Sequence, residues 1–343
     1  MEERRSPRAL VLAPWLKLGG LETALLAMLE IFPVPFDLCI CKRGGAFEPL
    51  LDKKIEVITF KEAQKRSYDA VLQMAHWKDP SSWIKQIVAK IKVQWIHTDF
   101  CAWKANVPLK DGKKCEDIDL FVCVSKKVAE SFQKTHPSMA PEKIITVYNV
   151  FNSQKIRKLS LEEPEDLKEI QRSSLLKVVS VTRLSREKAL CRSVAVHAAL
   201  EKAGIHVKWY VIGEGPQRKK LEQCIQEHGL QDKHKLLGMR YNPYPYMRVA
   251  SVVTMQSRFE GFGNVLTEAK ILGRPILTTR FAGACEQIEN EKTGLIVENK
   301  KSTIISGMKR ILQDQQFREK LSKNLEGFSY NNEPTKKFLE KLF

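Results

Sequence analysis

Two glutamates, Glu260 and Glu268, bracket a glycine-rich run, Gly261-Phe262-Gly263-Asn264-Val265. The apolar pattern that follows predicts a helix over Gly263–Leu272. Gly263 and Asn264 then stand at its N-terminus, where backbone N–H groups without intrahelical acceptors and the positive dipole end favour a phosphate. Glycine at 261 and 263 lets the backbone approach a ligand closely. Glu268 is placed to accept both hydroxyls of a ribose, as carboxylates do in nucleotide folds. Glu260, just before the turn, would bind hydroxyls of whatever that phosphate carries. The plain structural alternative is a surface helix behind a glycine turn, with solvated glutamates.

Arg183 and Lys188 lie in Thr182-Arg-Leu-Ser-Arg-Glu-Lys188, directly after an apolar strand. That is the carboxyl edge of a sheet, where doubly wound folds bind ligands. Two cations there can neutralise a departing diphosphate, which is stabilisation of a developing anion. Glu187 would position the pair; the alternative is an exposed charge cluster at a helix start. Gly213-Glu-Gly215-Pro216 ends another strand. It reads either as a donor-binding turn or as an ordinary strand-to-helix turn with Pro216 at the first helical position. Gly19-Gly20 is either a ligand loop or a tight turn. His97 closes Gln94-Trp-Ile-His-Thr-Asp99, as a ligand contact or a structural histidine, with Asp99 a secondary candidate.

Short apolar runs alternating with helical patterns position these residues, the signature of parallel α/β architecture. Strands are expected at Ala9–Pro14, Asp37–Cys41, Ile55–Phe60, Tyr68–Gln73, Val93–His97, Leu120–Val124 and Ile144–Tyr148. A second set follows at Lys177–Val181, Val207–Ile212, Val252–Met255, Pro275–Thr279 and Gly294–Val297. The predicted organisation is a Rossmann-like domain over 1–152, a charged linker over 153–174 with room for a short helix of its own, and a second Rossmann-like domain over 175–326. A segment over 327–343 ends in a short helix at Pro334–Phe343. Ser81–Lys92 reads as a basic amphipathic helix with Trp83, Ile84, Ile87, Val88 and Ile91 on one face. Lys104, Lys110, Lys113 and Lys114 follow in a basic loop. Helix and loop together suggest docking on anionic lipid, although Trp83 and its neighbours would equally pack on the sheet.

The 343 residues are 43% hydrophobic and 28% charged, with a formal net charge of +17. Such a chain can build two cores and calls for anionic ligands. Basic residues spread through both halves, which weakens a nucleic-acid reading. No run of about 18 apolar residues lacks a charge, so no spanning helix is expected. No secretory leader is recognised, and the eight cysteines lack paired CxxC spacing. They are expected to be reduced in a cytoplasmic protein, peripheral on the inner membrane face at most.

Six segments in register resemble the retaining glycosyltransferases of family 4, which have the GT-B fold. Ser257–Glu268 resembles the E-x7-E signature, Thr182–Lys188 the segment G-R-L-x-x-E-K, and Val211–Pro216 the turn V-x-G-x-G-P. Leu237-Gly238 with Asn242–Tyr246, Gly19-Gly20-Leu21-Glu22 and Trp95–Asp99 are similar to the remaining pieces. Thr182 and Ala189 replace glycines usual in the family, and Ala284 does so in Gly283-Ala-Cys-Glu286. The resemblance implies two doubly wound domains facing a cleft, 1–152 on the acceptor side and 175–326 binding the nucleotide-sugar, with 327–343 returning toward the first. It also implies hexosyl transfer from a UDP- or GDP-linked sugar to a glycan or lipid-linked acceptor in bacterial cell-surface polysaccharide synthesis. Catalytic roles fall to Glu260, Arg183, Lys188 and His97. Donor contacts fall to Gly19, Gly20, Gly213, Gly215, Gly261, Phe262, Gly263, Asn264, Val265 and Glu268. In the mechanism so implied, the departing phosphate oxygen itself helps deprotonate the attacking hydroxyl. No cofactor is expected beyond the nucleotide-sugar as co-substrate. No metal is expected, because no Asp-x-Asp stands in these motifs and Arg183 and Lys188 can take its electrostatic role. The rival readings are a nucleotide-sugar epimerase or a phosphorylase on the same scaffold, a non-catalytic nucleic-acid binder, and a homologue that binds without turnover.

Overall fold

The computed structural model of the protein describes residues 8–17, 19–74, 81–104 and 117–343. The chain divides into two compact units, Met1–Phe151 with Asn331–Phe343, and Asn152–Tyr330. Each is built on one parallel sheet, because apolar runs such as Ala9–Ala13 and Val252–Met255 are buried along their whole length. Strands of that kind need helices on both faces.

The first sheet holds β1 (Ala9–Ala13), β2 (Phe36–Ile40), β3 (Val57–Ile58), β4 (Ser67–Gln73), β5 (Val88–Ile96), β6 (Leu120–Cys123) and β7 (Ile144–Thr146). Their order is β3-β2-β1-β4-β5-β6-β7. The second holds β8 (Leu176–Val181), β9 (Val207–Ile212), β10 (His234–Gly238), β11 (Val252–Met255), β12 (Ile276–Thr279) and β13 (Leu295–Val297), in the order β10-β9-β8-β11-β12-β13. Strand order reverses beside β1 in one sheet and beside β8 in the other. A ligand crevice is expected outside the carboxyl ends of the strands at such a reversal. In the second unit α8 (Leu190–Lys202), α9 (Arg218–Glu227) and α13 (Lys301–Gln313) pack over a core centred on the fully buried Trp209.

Three expectations need correction. Ser81–Lys92 is not one amphipathic helix: α3 (Ser81–Ile84) is a single turn, and β5 begins at Val88. β-Branched Val88, Ile91 and Val93 suit a strand paired on both sides. Lys85 pairs with Asp117 at 2.8 Å and Lys90 with Asp69 at 2.7 Å. The lipid-docking helix therefore has no structural basis. Lys104 closes α4 (Phe100–Lys104), while Lys110, Lys113 and Lys114 lie outside the described residues. Second, 153–174, expected as a connection with at most one short helix, carries two, α6 (Ser153–Leu159) and α7 (Leu167–Arg172). These are tied to α10 (Tyr244–Arg248) and the turn before it by Arg240–Asp166 at 2.7 Å, Tyr246–Asp166 at 2.5 Å and Asn242 to the Leu159 carbonyl at 2.8 Å. Third, Cys191 and Cys224, expected as thiols, form a disulfide joining α8 to α9, with their Cα atoms 5.9 Å apart.

The chain end forms α15 (Glu333–Glu340) within the first unit. Thr335 donates to the Tyr148 carbonyl at 2.9 Å, and Phe338 meets Trp95 edge-on. Among the described residues no helix is long and apolar enough to cross a membrane.

Candidate active site

The second sheet builds its site where β8 and β11 end side by side. Beyond β8 the chain turns at Thr182–Leu184, held by backbone bonds from Thr182 to Ile212 and from Leu184 to Glu214, both 2.9 Å. Gly213 and Gly215 make that approach possible. A Cβ on Gly213, at φ +139°, would lie 1.9 Å from the Thr182 oxygen, and one on Gly215 would lie 2.5 Å from the Leu184 oxygen. These two glycines therefore have a packing job, shaping the turn that carries Arg183. Arg183 is exposed and makes no ion pair among the described residues.

Arg186–Lys188 form a 3-10 turn that ends at Ala189 in the left-handed region (φ 52°, ψ 38°), before α8. The Ser185 hydroxyl donates to the Glu187 carboxylate, and the Glu187 carbonyl accepts from the Arg258 N–H at 2.7 Å. This bond draws the turn against the residues after β11. There the Lys188 ammonium pairs with Glu260, which also accepts from the Ser257 hydroxyl at 2.8 Å. The two side chains of the pair are 16% and 15% exposed, enough to meet a ligand and little enough to interact strongly.

Three residues further, α11 (Asn264–Ile271) starts from Gly263 at φ +88°. A Cβ at 263 would lie 2.8 Å from the Phe281 ring, so glycine is required on both conformational and steric grounds. The Gln287 side chain, from α12 (Ala284–Gln287), donates to the buried Phe262 carbonyl at 2.5 Å. Gly283 packs so close that its Cβ would lie 2.4 Å from the same oxygen. Gly261, Phe262 and Asn264 are buried, while Gly263 and Val265 are partly open.

Glu268 departs from expectation in its surroundings. Its carboxyl is wholly buried, and burial pushes it up to about 7 against the opposing hydrogen bond from the Tyr244 hydroxyl. Lys188, Glu260 and the α11 start thus gather beyond the carboxyl ends of β8 and β11, with Arg183 on the turn after β8 and Glu268 buried within α11.

Sequence reasoning missed the frame behind this edge. Arg192 donates to the Gln256 carbonyl and, at 2.6 Å, to Asn299, whose amide donates to the Arg258 carbonyl at 2.9 Å. No local signal marks such a set, since Arg192 and Asn299 are distant in sequence.

In the first unit, Gly19 precedes α1 (Gly20–Glu30) at the exit of β1, with ordinary extended backbone, φ 175°. The Thr23 hydroxyl and N–H both donate to its carbonyl at 3.1 Å. His97 is half-buried, directly after β5. Asp99 is committed to structure: it accepts from the Ala102 N–H at 3.2 Å and the Ser131 hydroxyl at 2.6 Å.

Residues 162–327 match the model of the family described as glycosyl transferases group 1. The chain is 30% identical over 184 residues to N-acetylgalactosamine-N,N'-diacetylbacillosaminyl-diphospho-undecaprenol 4-alpha-N-acetylgalactosaminyltransferase of Campylobacter jejuni, covering 53% of this chain and 48% of that protein. It is 29% identical over 150 residues to alpha-D-kanosaminyltransferase of Streptomyces kanamyceticus, covering 43% and 39%. The chain therefore spans about half or less of the length of these curated relatives. Among solved structures, Anabaena Alr3699/HepE in complex with UDP-glucose aligns with a TM-score of 0.79 at 19% identity, covering 98% of this chain and 99% of that one. WaaG, a glycosyltransferase involved in lipopolysaccharide biosynthesis, aligns with a TM-score of 0.74 at 15% identity, covering 98% and 99%. Likeness at that identity speaks for fold. The match to the group 1 glycosyl transferase model thus falls on the second unit, while the chain as a whole has the GT-B fold, two Rossmann-like units each on one parallel sheet.

Proposed function

We propose that the chain is a retaining hexosyltransferase that moves a sugar from a UDP- or GDP-linked donor to a glycan or lipid-linked acceptor in cell-surface polysaccharide synthesis. The observation that carries this reading is the Lys188–Glu260 pair beside the start of α11, at the strand-order reversal of the second sheet. A donor diphosphate lying against Gly263 and Asn264 competes for the Lys188 ammonium and recruits the exposed Arg183. Glu260, released from Lys188, accepts hydroxyls of the hexose. As the bond from the anomeric carbon to the diphosphate oxygen breaks, the bonding pair goes to that oxygen, where the two cations stabilise the growing charge. The departing oxygen takes the proton of the attacking acceptor hydroxyl, and the new bond forms on the face just vacated, so configuration is retained.

The relatives supply the substrate classes. The Campylobacter protein is named for a diphospho-undecaprenol acceptor, and the Anabaena structure was solved with UDP-glucose. We assign His97 to the donor sugar near its reacting carbon and the Gly19-Gly20 loop to the donor phosphate, as the family resemblance implies. Charge neutralisation by Arg183 and Lys188 makes the reaction metal-independent, so turnover survives a chelator.

The test is a panel of UDP- and GDP-sugars, read by thermal shift and by nucleotide release with and without lipid-linked glycan acceptors. Glu260→Ala should cut turnover by about 100-fold or more while nucleotide affinity changes little. Unchanged turnover in that variant would refute the site, and epimer formation from donor alone would favour the epimerase.

A further inference from the structure

The residue at the end of β11 has an unmet hydrogen-bonding group beside the catalytic pair. Gln256 is 6% exposed and follows Met255 directly. Its backbone is fixed from several sides. The Gln256 carbonyl accepts from Arg192, and the next carbonyl, of Ser257, accepts from the Thr279 hydroxyl at 2.7 Å and from Asn299 at 3.4 Å. The side chain is less well served. Its amide nitrogen stands 3.5 Å from the Thr254 hydroxyl, and its buried Oε1 meets no donor among the described residues. A desolvated acceptor without a partner is unfavourable, and natural structures mostly avoid it.

Gln256 also lines a small cavity between the ends of β8 and β11, together with Thr182, Lys188, Ser193 and Ser257. The cavity has room for about one water-sized group, which suits a hydroxyl and not a sugar ring. A diphosphate at neutral pH offers no hydrogen to an amide oxygen. The ribose hydroxyls are assigned to Glu268. The base also carries N–H donors but is separated from the diphosphate by the ribose, so the donor component that remains near Lys188 and Glu260 is the hexose.

We infer that Gln256 is a specificity-determining residue whose amide reads one hydroxyl of the donor hexose, directly or through one bound water, from a backbone braced by Arg192 and Asn299. The inference rests on the nucleotide-sugar reading above and goes beyond it by naming what selects the sugar.

The experiment measures dissociation constants by calorimetry for UDP, UDP-glucose and UDP-glucose deoxygenated singly at C2, C3, C4 or C6, with GDP-mannose and its deoxy series replacing these if wild type binds that donor instead. Wild type and Gln256→Met are compared, with Gln256→Leu as a second variant and thermal melts to establish folding. In wild type, one deoxy donor should bind about tenfold or more weakly than its parent. In Gln256→Met the parent should weaken about tenfold, that same deoxygenation should cost less than about twofold, and UDP affinity should stay within about twofold. A lone water with no sugar contact predicts no position-selective change, and that result overturns the inference. So does a uniform loss across donors and UDP, which would mark packing alone. If neither variant folds, a wild-type series without any position losing about tenfold overturns it equally. Failure of wild type to bind any nucleotide-sugar more tightly than its free nucleotide would instead refute the proposed function.

Discussion

Glu268 holds a carboxyl in full burial with one phenol as its partner, and its titration becomes a handle on nucleotide binding. Burial lifts this group to about 7, so the folded state holds its proton more tightly than the unfolded chain does. The group therefore costs nothing below about pH 4.5, and it subtracts stability progressively as pH rises to 7. Glu268→Gln should melt higher than wild type at pH 8, by up to about 3 kcal/mol, with the difference vanishing near pH 4. Ribose hydroxyls favour the ionised form, so nucleotide-sugar affinity should rise roughly tenfold from pH 6 to pH 8. A sugar diphosphate is fully ionised across that range, which leaves the protein as the source of the change. Calorimetry giving equal affinity at both pH values would remove Glu268 from the ribose. Ala189 is a second residue with a stored cost, at φ 52° just after Lys188. Ala189→Gly should stabilise the protein by roughly 0.5–1 kcal/mol in chemical denaturation, because glycine adopts the left-handed region freely.

At the scale of elements, the turn after β8 is placed by the turn after β9, and the contact is backbone against backbone. Gly213→Ala would drive a Cβ into the Thr182 carbonyl. It should cost more than about 2 kcal/mol and reduce turnover by displacing Arg183, while leaving the first unit's hydrogen-exchange protection intact. Near-normal stability would mean that the turn yields. Arg192 braces a different junction, from α8 to the ends of β11 and β13. Arg192→Ala should lower kcat about tenfold with a smaller change in nucleotide affinity, since it moves Glu260 and Gln256 and leaves the α11 start in place. These elements differ in how far sequence exposes them. β9 and β11 fall where apolar runs predict, because both are largely buried and apolar, with Lys208 and Thr254 the only polar residues in them. The Gly263 turn is equally legible, since one residue answers both the positive φ and the Phe281 contact. Ser81–Lys92 is not, because Trp83, Ile84, Ile87, Val88 and Ile91 satisfy a helical stripe as well as a strand entered from a short turn. β10 carries no such run, because His234 and Lys235 open it and only Leu236 and Leu237 are apolar. The Arg192–Asn299 frame and the Cys191–Cys224 link arise only when separate crossovers converge, and periodicity carries no trace of them.

At the scale of the whole molecule, the chain end belongs to the unit from which the chain began. Leu339 and Leu342 are buried there, Phe338 meets Trp95, and Phe343 meets Phe32 at 6.1 Å between ring centroids. Trp95 lies two residues before His97, so α15 helps to fix the strand that carries this proposed catalytic histidine. Leu339→Ala removes a fully buried side chain and should destabilise the first unit by about 2–5 kcal/mol. Two compact units predict that this loss stays local. Hydrogen exchange should quicken in β5 and α15 while amides of β8, β11 and α11 keep their protection, and UDP should bind with unchanged affinity. Turnover should still fall, because the acceptor side depends on the softened unit. Exchange that quickened equally in both units, with UDP affinity lost, would show a single cooperative body. The division of labour proposed between the two sheets would then lose its basis.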